Sequence, residues 1–351
     1  MLNLIVTFLI MPLAPFWFYG NLVSGISGNS NDSVAVQSSC QTTDVCGLPV
    51  TTDNSVPFES NDVESHSIFP INSAMASGLV PIRKNNVSDM KVWAGSSVVI
   101  DVDSGTVIHY DNGRKRTQIA SLTKMMTAVL AMENIKDLNE PVTITREDLN
   151  VDGTKVGCPT SVICNSNRMF VGEKVKAIDL MKVMLMNSAN DSATALGVHM
   201  AGSPQKFVDM MNAKAVDMGL KDTHFCTPSG LEIDGEEDQC YSSAYDLARI
   251  AAYSLKYDTI WNIMKIPEGQ FYSCDGKYMH VLKNTDMLLN TLPGCVGGKT
   301  GFTPLAGKSL MLGAEDPTGK HKIIAVLLND DQRWDDMRTL VNWVFDNYTW
   351  Q

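Results

Sequence analysis

The chain has 351 residues, a formal net charge of −11, 44% hydrophobic residues and eight cysteines. This acidic balance argues against nucleic-acid binding, which needs a basic footprint. No cysteines have C-x-x-C spacing and no histidines have H-E-x-x-H spacing, so neither a metal site nor a cofactor is expected.

Composition divides the chain near Val92. Residues 1–20 are almost wholly apolar and suit a signal peptide or an N-terminal membrane anchor. Pro12, Pro15 and the lack of a basic flank favour neither, so cleavage versus anchoring stays open. Residues 21–91 are rich in Ser, Asn and Thr without apolar periodicity. They hold no Lys or Arg before Arg83 and carry Asp32, Asp44, Asp53, Glu59, Asp62 and Glu64. This composition reads as a disordered acidic linker, not a polybasic membrane patch. The remainder, about 260 residues, is ample for a substantial core. The cysteines fall as close neighbours: Cys40 with Cys46, Cys158 with Cys164, Cys226 with Cys240, and Cys274 with Cys295. An even set after an apolar N-terminus points to export and to nearest-neighbour disulfides. Buried free thiols are the alternative.

The first regular elements are β-branched runs at 97–101 and 106–110, joined as a hairpin by Asp103-Ser104-Gly105. Asp111-Asn112-Gly113 turns the chain away. Residues 119–134 then space Leu122, Met125, Met126, Val129, Leu130 and Met132 for a largely buried helix. Ser121 falls in its first turn, beside unpaired backbone N–H groups and the positive end of the helix dipole. Lys124 points from the same face one turn on. Helices at 175–186 and 191–200 leave Ser188 and Asn190 in a short connection. Ser203-Pro204 reads as an N-cap and first-turn proline, opening a helix that closes at Gly219. Another helix covers 244–255. Strands at 296–300, 309–314 and 321–328 follow, and a last helix spans 333–347. Two N-terminal and three C-terminal strands with helices between them predict an α/β (α+β) fold, an antiparallel five-stranded sheet with a helical subdomain.

Three motifs occur in order: Ser121-Leu122-Thr123-Lys124 (S-x-x-K), Ser188-Ala189-Asn190 (S-x-N) and Lys299-Thr300-Gly301 (K-T-G). Each is weak alone, since S-x-x-K recurs at Ser88 and Ser203 and S-x-N at Ser27. Ser203 is explained as a cap, and Asn190-Asp191 could equally cap the helix that follows. Together the motifs supply an acyl-transfer set. Ser121 is the candidate nucleophile, and a hydroxyl needs a base to take its proton. Lys124 is the candidate base, although an ordinary lysine is charged at neutral pH. Bringing its pKa near 7 takes about 4 kcal/mol, which burial and a second positive charge could supply. Lys299 is the candidate second charge. Ser188 would relay a proton to the leaving nitrogen, Asn190 would hydrogen-bond the substrate amide, and Lys299 with Thr300 would hold a carboxylate. Gly301 would let a substrate backbone approach the strand, with the N–H groups of Ser121 and Phe302 as oxyanion donors. No G-x-S-x-G elbow supports a Ser-His-Asp alternative.

The motif set resembles that of penicillin-binding proteins and class A β-lactamases. From about Val92 to Asn347 the chain resembles the low-molecular-mass penicillin-binding D-alanyl-D-alanine carboxypeptidases. The likeness extends to Ile119-Ala120 and Met125-Met126-Thr127 around the first motif, and to Asn187 and Asp191-Ser192 around the second. It continues in Pro228-Ser229-Gly230-Leu231, Tyr245-Asp246-Leu247-Ala248 and Gly297-Gly298 with Phe302-Thr303. The resemblance implies a β-lactamase/DD-peptidase-like catalytic domain over 92–351. It implies a serine-type carboxypeptidase that removes the terminal D-alanine of peptidoglycan stem pentapeptides through an acyl-enzyme on Ser121, with β-lactams as covalent inhibitors and no cofactor. It also implies an exported bacterial protein at the outer face of the cytoplasmic membrane, in the cell wall or secreted. Two departures are visible. Asp286 stands where the family's Asn-x-Asn-x-Leu-Leu segment has its second Asn, and Lys283 is the sole basic residue near it. A β-lactamase is the closest rival, but its E-x-x-L-N glutamate segment finds only Glu147-Asp148-Leu149-Asn150, one residue short and ahead of Ser188. A penicillin-binding sensor without turnover is a rival of another kind, opposed by the intact Ser121, Lys124 and Lys299.

Overall fold

The computed structural model describes residues 79–157 and 167–351. The N-terminal apolar segment, most of the acidic linker, and the pairs Cys40/Cys46 and Cys158/Cys164 lie outside the described residues. The chain opens with β1 (Pro81–Arg83) and the hairpin β2 (Ser96–Asp101) and β3 (Val107–Asp111). A 3-10 turn, Ala120–Thr123, runs directly into α1 (Lys124–Asn134). The helical part continues through β4 (Pro141–Thr143), α2 (Arg146–Leu149), β5 (Lys174–Lys176), α3 (Ala177–Met186), α4 (Asn190–Ala201) and α5 (Pro204–Asp217). It ends with α6 (Ala244–Ser254) and α7 (Asp258–Met264). A two-stranded arm, β6 (Glu268–Tyr272) and β7 (Met279–Lys283), leads into β8 (Cys295–Thr303), β9 (Gly307–Glu315) and β10 (Lys322–Leu328). The chain closes with α8 (Arg333–Asn347) and β11 (Tyr348–Trp350).

Five strands form one antiparallel sheet in the order β3-β2-β10-β9-β8, the two-plus-three arrangement that the strand pattern predicts. Both faces are covered, so the central strands are apolar on both sides. Along β10 the alternation is strict. Ile323, Ala325 and Leu327 pack with Met337, Leu340, Val341 and Val344 of α8, whereas Ile324, Val326 and Leu328 join the larger core of the helical subdomain. That core surrounds α3, whose Leu180, Met181, Val183, Met184, Leu185 and Met186 are all buried. A helix that is apolar all round is an interior helix. Every strand of the main sheet except β3 and β8 has two neighbours, so β8 keeps one edge unpaired by strand.

Several elements differ from the sequence reading. The fold begins ahead of Val92, because β1 pairs with β11 in the register Pro81↔Trp350, Ile82↔Thr349 and Arg83↔Tyr348. Three-residue strands carry too little alternation to be read from sequence. The Cys226–Cys240 disulfide is present, with Cα atoms 5.5 Å apart. The expected Cys274–Cys295 bridge is not: both thiols are free. Cys274 lies on the β6–β7 connection, its N–H donating to the Lys174 carbonyl at 2.8 Å. Cys295 opens β8 in the main sheet, with Sγ 3.9 Å from Asp286 Oδ2. An entire strand and a turn separate them, so nearness in sequence does not become nearness in space. Ser203 is the expected N-cap, accepting the Lys206 N–H at 3.3 Å ahead of Pro204. Asp148, within the string compared with E-x-x-L-N, closes a capping box with Thr145 at the start of α2.

Besides hydrogen bonds such as Cys274 to Lys174 and Lys283 to Asn187, the β6–β7 arm is fastened to the helical subdomain by a buried side-chain pair. His280 Nε2 lies 2.7 Å from Glu173 Oε1 and Nδ1 lies 2.6 Å from the Asn167 carbonyl, while the ring stacks on Phe271 at 4.7 Å. Burial alone would lower the His280 pKa, but the Glu173 carboxylate and the Asn167 carbonyl outweigh it and raise the value above the ordinary one. With the folded pKa above the unfolded one, this stabilisation is complete below the unfolded value and is lost as pH rises through the folded value. His280→Ala leaves Glu173 buried without its partner, so it is expected to lower the unfolding free energy by about 3 kcal/mol near pH 6. Urea denaturation near pH 6 and near pH 9 checks this, and the gap between wild type and variant should narrow at the higher pH.

Candidate active site

The 3-10 turn presents Ser121 after Ala120, whose φ is +47°. Lys124 begins α1 one turn later with a fully buried side chain. Its Nζ lies 2.7 Å from Ser121 Oγ, 2.7 Å from Asn190 Oδ1 and 2.8 Å from the Ser229 carbonyl. Asn190 is not in a connection, as its sequence context suggested, but is the first residue of α4. Its Nδ2 donates to the Asp152 carbonyl at 2.7 Å and its backbone N–H to the Thr154 carbonyl at 2.7 Å. Asp191 beside it accepts the Val156 N–H through both oxygens, at 3.1 and 3.0 Å. The 152–156 loop is therefore bolted to the start of α4.

Ser188 occupies the α3–α4 junction with φ +63°. Lys299, fully buried on β8, donates to Ser188 Oγ at 2.9 Å and to the Thr300 carbonyl at 2.9 Å. Thr300 Oγ1 is 2.8 Å from Thr285 Oγ1. The three motifs thus converge, one from the 3-10 turn, one from a helix junction and one from a sheet edge. Ser188 hydrogen-bonds Lys299, while Lys124 reaches Ser121 and Asn190 instead.

Two glycines permit this closeness. A Cβ on Gly301 would stand 2.9 Å from the Ile119 carbonyl and 3.3 Å from Leu122 Cγ, so β8 lies backbone-close against the Ser121 turn. Gly230 has φ +84°, and a Cβ there would land on the Ala120 carbonyl. Phe302 next along β8 has its side chain 60% exposed, at the rim of the site.

Burial and then the Lys299 charge hold Lys124 well below the ordinary lysine pKa, with Asp191 opposing them. Burial and then the Arg333 guanidinium bring Lys299 down to about 7, with Asp286 opposing. Both lysines are thus biased toward their neutral forms. Burial pushes the Asp191 carboxyl up to about 6 against the N–H groups of Val156 and Ser192. Asp286 is likewise raised by burial while its Oδ1 accepts the Leu288 N–H at 2.8 Å.

Residues without a sequence motif also shape the site. Arg333, at the start of α8, donates to the Gly301 carbonyl at 3.1 Å and the Ser309 carbonyl at 3.4 Å. Its guanidinium is the positive charge felt by Lys299, whereas the charge felt by Asp286 is that of Lys299 itself. Ser229 acts through its backbone, which no residue type can signal. Among the described residues, no three His, Cys, Asp or Glu side chains gather as a metal site.

The family profile described as D-alanyl-D-alanine carboxypeptidase, of the S11 peptidases, matches residues 83–332. The chain is 33% identical over 253 residues to a D-alanyl-D-alanine carboxypeptidase of Mycobacterium tuberculosis, covering 71% of this chain and 81% of that protein. It is 32% identical over 245 residues to one of Bacillus subtilis, covering 68% of this chain and 58% of that relative's length. Among solved structures it is similar to a D-alanyl-D-alanine carboxypeptidase from Mycobacterium tuberculosis, with a TM-score of 0.64 and 30% identity over 75% of this chain and 95% of that one. It is also similar to penicillin-binding protein D2 from Listeria monocytogenes in the ampicillin-bound form, with a TM-score of 0.61 and 27% identity over 74% of this chain and 100% of that one.

The Gly230 contact is testable by stability alone. Gly230→Ala adds a Cβ that meets the Ala120 carbonyl and places alanine at a left-handed φ, so a loss of roughly 1–3 kcal/mol is expected. Denaturant unfolding measures it, and an unchanged midpoint would mean that the 227–231 segment does not bear on the Ser121 turn.

Proposed function

Because the chain belongs to the D-alanyl-D-alanine carboxypeptidase family of serine peptidases, we propose that it removes the terminal D-alanine from peptidoglycan stem pentapeptides through an acyl-enzyme on Ser121. The observation that carries this reading is the environment of Lys124. In its neutral form the amine has two N–H groups and one lone pair. Asn190 Oδ1 and the Ser229 carbonyl accept the two N–H groups, which leaves the lone pair for the Ser121 hydroxyl at 2.7 Å. The depressed pKa favours the neutral amine and so the free lone pair.

In this reading the substrate's terminal carboxylate meets Lys299 and Thr300, within the positive field that Arg333 adds. The peptide backbone lies along the open edge of β8. Lys124 takes the Ser121 proton as Oγ attacks the penultimate carbonyl, and the N–H groups of Ser121 and Phe302 face the oxyanion. Ser188 Oγ, 2.9 Å from Lys299 Nζ, passes its proton to the leaving nitrogen and is resupplied by Lys299, so D-alanine departs as a free amine. Water then adds to the acyl ester and gives up a proton through Ser188 to the now neutral Lys299, and Ser121 leaves with the proton held on Lys124, so both lysines return to their starting states. Asn190 serves the base as much as the substrate, since one Nδ2 proton already goes to the Asp152 carbonyl. A β-lactam would enter the same way, but its cleaved amide stays attached, so the acyl-enzyme persists.

Compartment and domain plan belong to the same proposal. The Cys226–Cys240 disulfide suits an oxidising compartment, and a cell-wall substrate lies outside the cytoplasm. Residues 1–20 would then direct export or anchor the chain, with the acidic linker as a tether to the catalytic domain. Among the described residues no helix is long and apolar enough to cross a membrane, so membrane contact is assigned to that N-terminal segment.

A pentapeptide ending in D-Ala-D-Ala should lose one alanine by mass when incubated with the protein, and fluorescent penicillin should label it covalently. Ser121→Ala should abolish both, whereas Ser203→Ala, at a helix cap, should retain both. Labelling without alanine release would favour the sensor reading, and labelling that survives Ser121→Ala would falsify the nucleophile.

The pH profile tests the lysine pair. Catalysis needs Lys124 neutral and Lys299 charged, so kcat/KM should be bell-shaped with its alkaline limb at about 7, the value of Lys299 in the free protein. Lys299→Ala removes a positive neighbour, raises the Lys124 pKa and moves the acidic limb upward, so part of the lost acylation rate should return at high pH. Lys299→Arg should keep the acidic limb better than it keeps affinity. An equal loss at every pH in Lys299→Ala would leave only the carboxylate clamp.

A further inference from the structure

The Cys226–Cys240 disulfide closes a loop of sequence separation 14, and that loop forms one wall of the site. Within it, the Ser229 carbonyl accepts from Lys124 Nζ at 2.8 Å and the Pro228 carbonyl accepts from Thr127 Oγ1 at 2.7 Å. Gly230 abuts the Ala120 carbonyl, and Glu232 takes a hydrogen bond from Thr303 at the end of β8. The rest of the loop is strongly acidic: Glu232, Asp234, Glu236, Glu237 and Asp238 fall within seven consecutive positions. Like charges at this density repel and favour an open loop. Besides the disulfide, the neck is held by the paired backbones of His224 and Tyr241, at 2.8 and 3.0 Å, and by His224 Nδ1 at 2.7 Å from the Gln239 carbonyl.

We propose that the Cys226–Cys240 disulfide is a positioning element for the catalytic base, holding the Ser229 carbonyl where it fixes the direction of the Lys124 lone pair. The proposal rests on the reading of Lys124 as the base for Ser121. A dithiol reductant such as dithiothreitol transfers two electrons and two protons to the cystine, giving two cysteine thiols and the cyclic disulfide of the reductant. The acidic loop is then held by non-covalent contacts alone, those of His224, Phe225 and Tyr241 at its neck and of Pro228 and Glu232 along its length, and the Ser229 carbonyl, one of the two acceptors that orient the amine, is less firmly placed. Lys299 and Thr300 are held by Ser188 and Thr285 rather than by the loop, which meets β8 through Glu232 and Thr303, so the carboxylate clamp keeps its geometry. Reduction should therefore slow the chemical step without weakening the initial encounter. The disulfide thereby links acylation to the redox state of the surroundings.

The experiment is the time course of fluorescent-penicillin labelling at several penicillin concentrations, which separates the acylation rate constant from the dissociation constant of the first complex. Relative to oxidised wild type, dithiothreitol-treated wild type and the double variant Cys226→Ser/Cys240→Ser should acylate roughly tenfold more slowly, the rate equivalent of one hydrogen bond to the base. The dissociation constant should stay the same, as a merely loosened fold would not leave it. Dithiothreitol should have no further effect on the double variant, and Cys274→Ser should respond to it as wild type does. The proposal is overturned if the double variant acylates at the oxidised wild-type rate, or if reduction changes the dissociation constant alone. Should the double variant fail to fold, reduced wild type carries the test: peptide mapping identifies alkylated Cys226 and Cys240, and an unchanged rate with both alkylated overturns it. Absence of any labelling in oxidised protein would instead overturn the Ser121–Lys124 reading and take the positioning role with it. Labelling that is indifferent to reduction removes the positioning role alone.

Discussion

Two lysine side chains, fully withdrawn from water and set around one cleft, are the constraint that organises this molecule. A buried ammonium is costly unless it is hydrogen-bonded or loses its proton. The protein does both. Lys124 is surrounded by oxygen acceptors and held well below the ordinary lysine pKa, while Lys299 donates to Ser188 Oγ and the Thr300 carbonyl. Neither carboxylate near the pair touches it directly: Asp191 is tied to the Val156 amide and Asp286 to the Leu288 amide. Each acts only through its field. The unfolded chain binds more protons at these lysines than the fold does, so they weaken the fold most below their folded pKa values, and the penalty fades as pH rises toward the ordinary lysine value. Stability is given up at the place where the proposed function puts proton transfer.

That arrangement explains why the site is divided between structural layers. Lys124 belongs to a helix and Lys299 to a sheet edge. Their approach depends on two interior surfaces meeting, the α1 turn against β8, with Gly301 allowing backbone contact. The large apolar core around α3 and the second core beneath α8 fix those surfaces independently. Arg333 sits where they meet because β9 runs antiparallel to both β8 and β10. The end of β10, and hence the start of α8, falls at the K-T-G end of β8.

Much of this is legible in the sequence, for physical reasons that also mark the limits. The hairpin, α1, α3 and the three C-terminal strands have long apolar patterns with clear breakers, and their bounds agree to within a few residues. Ser121, Lys124, Ser188, Asn190, Lys299 and Thr300 come together because side-chain chemistry at fixed spacing is a local property. Whatever acts through the backbone or through topology is silent. Ser229 contributes a carbonyl, Ala120 and Ser188 contribute a left-handed turn that their residue types disfavour, and Arg333 has no motif. The Cys274–Cys295 expectation fails for the same reason: a strand between two cysteines carries them apart, and sequence distance does not contain that information.

The unpaired edge of β8 has a consequence of its own. An open sheet edge is a template for any extended chain, and proteins ordinarily guard such edges with charge, proline or a cover. Here the Ser121 turn stands against the strand at Gly301, and the lysine that would repel a stray strand is turned inward against Ser188. What can reach the edge must therefore be slender, extended and unpaired along its backbone. Short tails with free carboxyl ends meet that demand, while segments already committed to a helix, a sheet or a second cross-link do not. Under the proposed function the cleft sorts its visitors by conformational freedom before any side chain is read.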